Sequence, residues 1–253
     1  MRKARIGVHE VTLYDNIEEM PIGRYHKYQK YAIIDSGLGS DLTNLDAHLQ
    51  RAMAFVRKGE GEKAVTELNN LRQNVFFIQQ GISPQLLSCA CLVAEMDGIP
   101  QNDLSEEGLQ HLIETLSDVP TNIFTALFEA VKKKIGSELE AYFPSLMGAS
   151  SQEKEYCDLL KNRTIEILNG IISGKPDEQR IETLTDDLLT KQPPMSFQGE
   201  RNFEVDYDKQ FERMCVVLAQ NAGINPKQCS VMEFYHAYEI CKEQAKKTHT
   251  KTK

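Results

Sequence analysis

The chain has 253 residues, 41% of them hydrophobic and 26% charged, and a formal net charge of -8. That length can bury one large core or two to three smaller ones, and the composition is that of a globular protein rather than a disordered one. The acidic balance argues against general nucleic-acid binding, which draws its affinity from clustered Lys and Arg. No apolar run approaches the roughly 18–20 residues a membrane helix needs, and the opening "MRKARIGVHEVTLYD" has no apolar run after its basic residues, so a cytoplasmic protein without a membrane partner is expected.

In chain order, "RIGVHEVTLY" is the one stretch that reads as strand, and it is short. The next, "NIEEMPIGRYHKYQKYAIIDSGLGSDL", mixes aromatic and basic residues before a glycine pair. On a helical wheel, Ile22, Tyr25, Tyr28 and Ala32 share one face while Lys27 and Lys30 lie near the opposite one. An RNA-stacking platform needs cations and rings on the same surface, so a core helix is predicted. Gly37 and Gly39 lack the third glycine of a dinucleotide fingerprint and follow a helical pattern, not a strand. They read as a helix end and a turn, with Ser40 or Asp41 capping the next helix.

Leu42, Leu45, Leu49, Met53 and Val56 form an apolar stripe on a helix, and Leu68, Leu71, Val75 and Ile78 form a second after "RKGEGEK". The short connection predicts an antiparallel helical hairpin. Gly81 ends that hairpin, and Ser83 with Pro84 opens another helix. "MDGIPQNDLSEEGL" is a break, with Asp97-Gly98 as a turn and Asp103 to Glu106 as a capping box. Its acidic look does not make a calcium loop, because Ile99 and Gln101 stand where ligands should be and Gly98 comes too early.

A long amphipathic helix is predicted through Phe124, Leu127, Phe128, Val131, Ile135, Leu139 and Tyr142. Another begins near Ser150, with Glu153 completing a capping box, and carries Tyr156, Leu159, Leu160, Ile167, Leu168, Ile171 and Ile172. A shorter helix holds Ile181, Leu184 and Leu188. "KQPPMSFQGERN" is the best linker in the chain. Beyond it come two stripes, Tyr207, Phe211, Met214 and Leu218, then Val231, Phe234, Tyr235, Tyr238 and Cys241, with Gly223 ending the first helix and Ser230 and Glu233 boxing the start of the second.

The expected fold is therefore all-α, a multi-helix bundle of antiparallel hairpins with one short N-terminal strand. Its expected divisions are a helical domain at 1–148, a hairpin continuing it at 149–191, a linker at 192–202, a C-terminal hairpin at 203–246 and a basic tail at 247–253.

Chemistry-bearing motifs are few. Cys89, Cys91, Cys157, Cys215, Cys229 and Cys241 form no C-x-x-C pair, and reduced thiols are expected. Cys89 and Cys91, two apart on a helix, point about 200° from each other and read as small core residues. His26, His48, His111 and His236 lie singly and read as boundary residues. No Ser or Cys sits in a nucleophile-elbow pattern. The pairs Glu18-Glu19 and Glu106-Glu107 fall in first helical turns, where they complement the helix dipole. No catalytic, cofactor-binding or metal-ligating residue is assigned, and no enzyme activity is expected.

"DNIEEMPIGRYHKYQKYAIIDSGLGSDL", "DLSEEGL", "ELEAYFPS", "EKEYCDLL", "YDKQFERMC" and "VMEFYHAY" together resemble a family of helical virion or morphogenesis proteins of crAss-like tailed bacteriophages. The resemblance implies a structural or assembly protein of the head-tail connector or tail, or a tail assembly chaperone. It would act in the host cytoplasm or the virion and bind other phage structural proteins or itself. Phe211, Phe234, Tyr235 and Tyr238 are the candidate protein-contact residues, in a hairpin expected to dock separately. The alternative is a nucleic-acid-binding accessory protein using the basic C-terminal tail.

Overall fold

The computed structural model describes residues 1–116, 121–147 and 151–250, with side chains described at 1–116, 125–146, 155–200 and 202–246. The chain forms two compact units, one from the described parts of 1–36, 83–147 and 204–253, the other from those of 37–82 and 148–203.

The first unit opens with strands β1 (Arg2–Ile6) and β2 (His9–Leu13), followed by helix α1 (Ile22–Gly37). After helix α4 (Pro84–Cys91) the chain returns to the sheet as β3 (Val93–Met96) and β4 (Ile99–Pro100). All four strands pair antiparallel in the order β1-β2-β3-β4. Two-residue turns close both hairpins. Gly7 at φ 61 fits a turn needing a left-handed first residue, and Asp97-Gly98, at φ 53 and 78, fits the doubly left-handed type that suits strand twist. The expectation of an all-α chain with a single strand is thus corrected to a mostly helical protein with a four-stranded sheet. Asp97-Gly98 is a turn, as expected, but one that joins strands. β3 meets β2 at Val11↔Met96 and Thr12↔Glu95, a pairing across more than eighty positions that no local pattern announces.

Helices α5 (Glu106–Thr115), α6 (Thr121–Tyr142), α7 (Pro144–Met147), α10 (Phe203–Ala222) and α11 (Val231–Thr250) complete this unit. Its core collects Val11, Leu13, Ile17, Leu87, Val131 and Ile135, among others. Local caps follow the sequence closely. Ser83 accepts from Leu86 N, and Ser230 and Glu233 bond each other's backbone N–H as a reciprocal box. At α5 the cap is Ser105, which accepts from Gly108 N, while Asp103 accepts from Ser105 N one step earlier. The capping box expected at Ser150 and Glu153 lies outside the described residues, as does the Phe124 side chain.

Arg24 links α1 to the sheet. Its guanidinium donates to the carbonyls of Cys91 (3.1 Å), Val93 (2.7 Å) and Gln101, and lies 5.2 Å from the Tyr14 ring centroid. Burial pulls its pKa below the usual value, with no carboxylate beside it, yet arginine remains charged. Lys27 and Lys30, expected on the solvent side of α1, bond the Leu104 carbonyl and Asp208.

In the second unit, α2 (Leu42–Arg57) and α3 (Gly61–Gln80) form the expected hairpin, joined by α8 (Ser151–Ser173) and α9 (Glu178–Thr190). The faces are reversed from expectation. α2 buries His48, Ala52, Ala54 and Phe55, and α3 buries Ala64, Glu67, Asn70 and Asn74. The predicted stripe faces outward, with Leu42 73%, Met53 51% and Val56 64% exposed; Leu68, Ile78, Leu168 and Ile171 are exposed as well. The buried side carries polar contacts beside Ala52, Ala54, Phe55 and Ala64, though Asn74 Oδ1 is buried without a hydrogen-bond partner. His48 Nδ1 lies 2.7 Å from Glu67 Oε2, and its Nε2 donates to the Leu38 carbonyl, which also accepts from Asn74. Arg51 completes the group, 2.9 Å from Glu67 Oε1. Arg57 donates through Nε and Nη2 to Asp186, joining α2 to α9 and holding that carboxyl below its ordinary pKa.

The expected divisions do not follow these units. Residues 203–246 belong almost wholly with 1–36, because their aromatic residues pack on α1, and the Pro-rich segment 192–202 is anchored rather than free. Phe197 is buried against Phe203, with centroids 5.6 Å apart, and Asn70 donates to the Met195 carbonyl at 2.9 Å. Gly37 is required here, since a Cβ would lie 2.8 Å from Phe197 Cζ. Among the described residues no helix is long and apolar enough to cross a membrane.

Two outcomes test this fold. Arg24→Met keeps the aliphatic stem but strands three carbonyl acceptors, and should lower unfolding free energy by about 3 kcal/mol in denaturant melts; an unchanged midpoint would show the contacts to be dispensable. Burial pushes the Cys89 and Cys91 thiols up to about 12, whereas Cys157 is exposed. In native protein at neutral pH, Cys157 should therefore react first with a disulfide reagent, and Cys89 and Cys91 only after unfolding.

Candidate functional site

The first unit contains a cavity of about 440 Å3 bounded by α1, α6, α10 and α11. α1 supplies Tyr25, His26 and Gln29, and α10 supplies Tyr207, Gln210 and Phe211. Spacings of four place 25 with 29 and 207 with 211 on single helix faces. α11 adds Phe234 and Tyr235, and α6 adds Gly136, Leu139 and Glu140.

His26 organises one side. Its ring stacks on Tyr207 at 4.6 Å and 7°, and on Phe211 at 4.1 Å and 16°. Its Nε2 lies 2.8 Å from Asp208 Oδ1, while Asp208 Oδ2 accepts from Lys30 at 2.8 Å. Burial lowers the His26 pKa, against the pull of Asp208. Burial also raises Asp208, but the Lys30 and His26 hydrogen bonds outweigh it and hold the carboxyl below its ordinary range. An ionised Asp208 only accepts, so Nε2 of the neutral imidazole carries the proton and Nδ1 has the lone pair.

The tyrosines stay protonated. Burial drives the phenols of Tyr25, Tyr207 and Tyr235 upward, well away from neutrality. Tyr25 OH accepts from Gln29 at 2.8 Å, and its ring meets Tyr235 edge to face at 6.4 Å. Among the described residues the wall includes no Ser, Thr or Cys.

Of the four candidate contact residues, Phe211, Phe234 and Tyr235 line this cavity. Phe234 is only 1% exposed and lies 5.9 Å from Phe211, while Tyr235 packs 5.5 Å from Phe143. The aromatic face of the C-terminal hairpin is thus covered within its own unit. Tyr238 instead lines a neighbouring groove of about 510 Å3 with Val217, Leu218, Cys241 and Ala245. The tail at 247–253, proposed for nucleic acid in the alternative reading, has its side chains outside the described residues. His26 reads from the sequence as a solitary boundary residue, because its partners lie about 180 positions away.

Comparison of the chain with family models, curated proteins and solved structures finds no match.

The His26 site should make stability depend on pH. Between its lowered folded pKa and 6.5, the unfolded chain binds more protons at His26, so stability rises with pH through that window and is lost as pH falls. Asp208 acts in the same sense at still lower pH. Melting temperature should fall between about pH 7 and about pH 5, and His26→Gln, which cannot titrate, should flatten that part of the curve. An unaltered slope in the variant would remove His26 from the account.

Proposed function

We infer that the chain is a non-enzymatic assembly protein that works by holding another protein chain. The setting implied by its resemblance is the connector, tail or assembly chaperone of a tailed phage. The observation supporting this reading is the outward row of α2. Leu42, Leu45, Leu49, Met53 and Val56 recur at the three- and four-residue intervals with which one helix meets another along its length. Four of the five are exposed. Scattered apolar residues are ordinary on a surface, but a continuous helical row above a polar interior leaves the better interface on the outside.

The partner is a second copy or another structural protein presenting a helix of matching period. Each large side chain covered there would contribute on the order of 1.5–3 kcal/mol of burial before the costs of association. Nothing in this reading uses a catalytic group.

Leu49→Glu with Met53→Glu places two charges in the row at positions already open to water, so helicity and melting should change little. Sedimentation velocity should show the parent chain associating and the double variant reduced to monomer, and co-purification with particle proteins should fall in parallel. A parent chain that stays monomeric and enters particles as well as the variant does would overturn the reading.

A further inference from the structure

Three features of the cavity in the first unit point the same way. Its walls are dominated by aromatic and apolar side chains, including Tyr25, Tyr207 and Tyr235, and aromatic rings attract positive charge, although one face of Tyr207 is covered by His26. Among the described residues its one acidic wall residue is Glu140, for which no hydrogen bond or ion pair is found. Asp208, beside the cavity, is already engaged by Lys30 and His26. Among the described residues no Lys or Arg lines the space, so the formal charge of the wall is negative.

The third feature is Gly136, in the middle of α6, where glycine costs roughly 1 kcal/mol against alanine. Neither ordinary reason for glycine applies. Its φ is not left-handed, and a Cβ built there would meet no atom within 4 Å. The residue faces open cavity, so its small size keeps space rather than relieving a clash.

We propose that this cavity binds an organic cation: an alkylammonium group whose methyl or methylene surface lies against the aromatic walls while its charge is balanced by Glu140. Gln29 and Gln210 supply neutral polar groups for the rest of such a ligand. A volume of about 440 Å3 accommodates a small amine or the end of a lysine side chain, and both present the same chemistry. Phenols held protonated by burial add no competing anion, so Glu140 is the charge that decides. The site lies in the unit that does not carry the α2 row, and the inference stands apart from the assembly reading.

The test is calorimetric titration of the full chain, with saturation-transfer NMR on the ligand, using three probes. Choline represents a free amine, Nα-acetyl-lysine methylamide a peptide side chain, and 3,3-dimethylbutan-1-ol is the uncharged isostere of choline. At least one cation should bind more tightly than the isostere, by about tenfold. Whichever cation binds identifies the source. Glu140→Gln, at an exposed position, should weaken that binding about fivefold to tenfold. Gly136→Leu, which projects a larger side chain from α6 into the space, should abolish it while circular dichroism and melting confirm the fold. Equal binding of cation and isostere, binding that survives Gly136→Leu, or no binding of either cation would each overturn the proposal.

Discussion

The first unit depends on a cation buried without an anion. Arg24 cannot shed its charge, so the fold must surround it with dipoles, and it does so with three backbone carbonyls and the Tyr14 ring. Those carbonyls belong to the end of α4, to β3 and to the segment after β4, so one side chain sets where α1 sits against the returning half of the sheet. Its chain neighbours, Tyr25 and His26, then turn toward α10 and α11 and form the wall of the cavity. The sheet is small, but it orients the helix on which the site is built.

The second unit answers a different constraint. The helix pair α2–α3 buries His48, Glu67, Asn70 and Asn74 together with Ala52, Ala54, Phe55 and Ala64, so its covered side mixes polar and apolar groups. His48 and Arg51 of α2 meet Glu67 of α3, while His48, Asn70 and Asn74 also donate to the carbonyls of Leu38 and Met195. Polar groups out of register would be left buried and unpaired, a large penalty, so the network contributes specificity more than stability. A second apolar surface, that of Leu42, Leu49, Met53 and Val56, lies exposed on α2.

The two units thus differ in the surfaces they present. One has a partly open cavity lined by aromatic side chains with Glu140 at its exposed edge, the other an extended aliphatic helix face. The His26–Asp208–Lys30 group belongs to the scaffold of the cavity. With both Asp208 oxygens occupied and the imidazole stacked on two rings, it fixes α10 on α1.

Features made within a few residues were legible in the sequence. Asp41, Ser83 and the Ser230–Glu233 box cap the helices expected of them, and Gly81 adopts the left-handed conformation that ends α3, because caps and turns are satisfied by neighbours three or four positions away. The periodicity of α1 correctly placed Ile22, Tyr25 and Tyr28 in the core. On α2 and α3 the same argument identified a stripe but not its side. Periodicity shows that a helix has two faces, while which one is covered depends on what the chain brings to it. Tertiary structure alone decided the sheet, the buried Arg24 and the His26–Asp208 pair. Each is completed by residues far away in sequence, and the energy of a distant contact leaves no period in the chain that makes it.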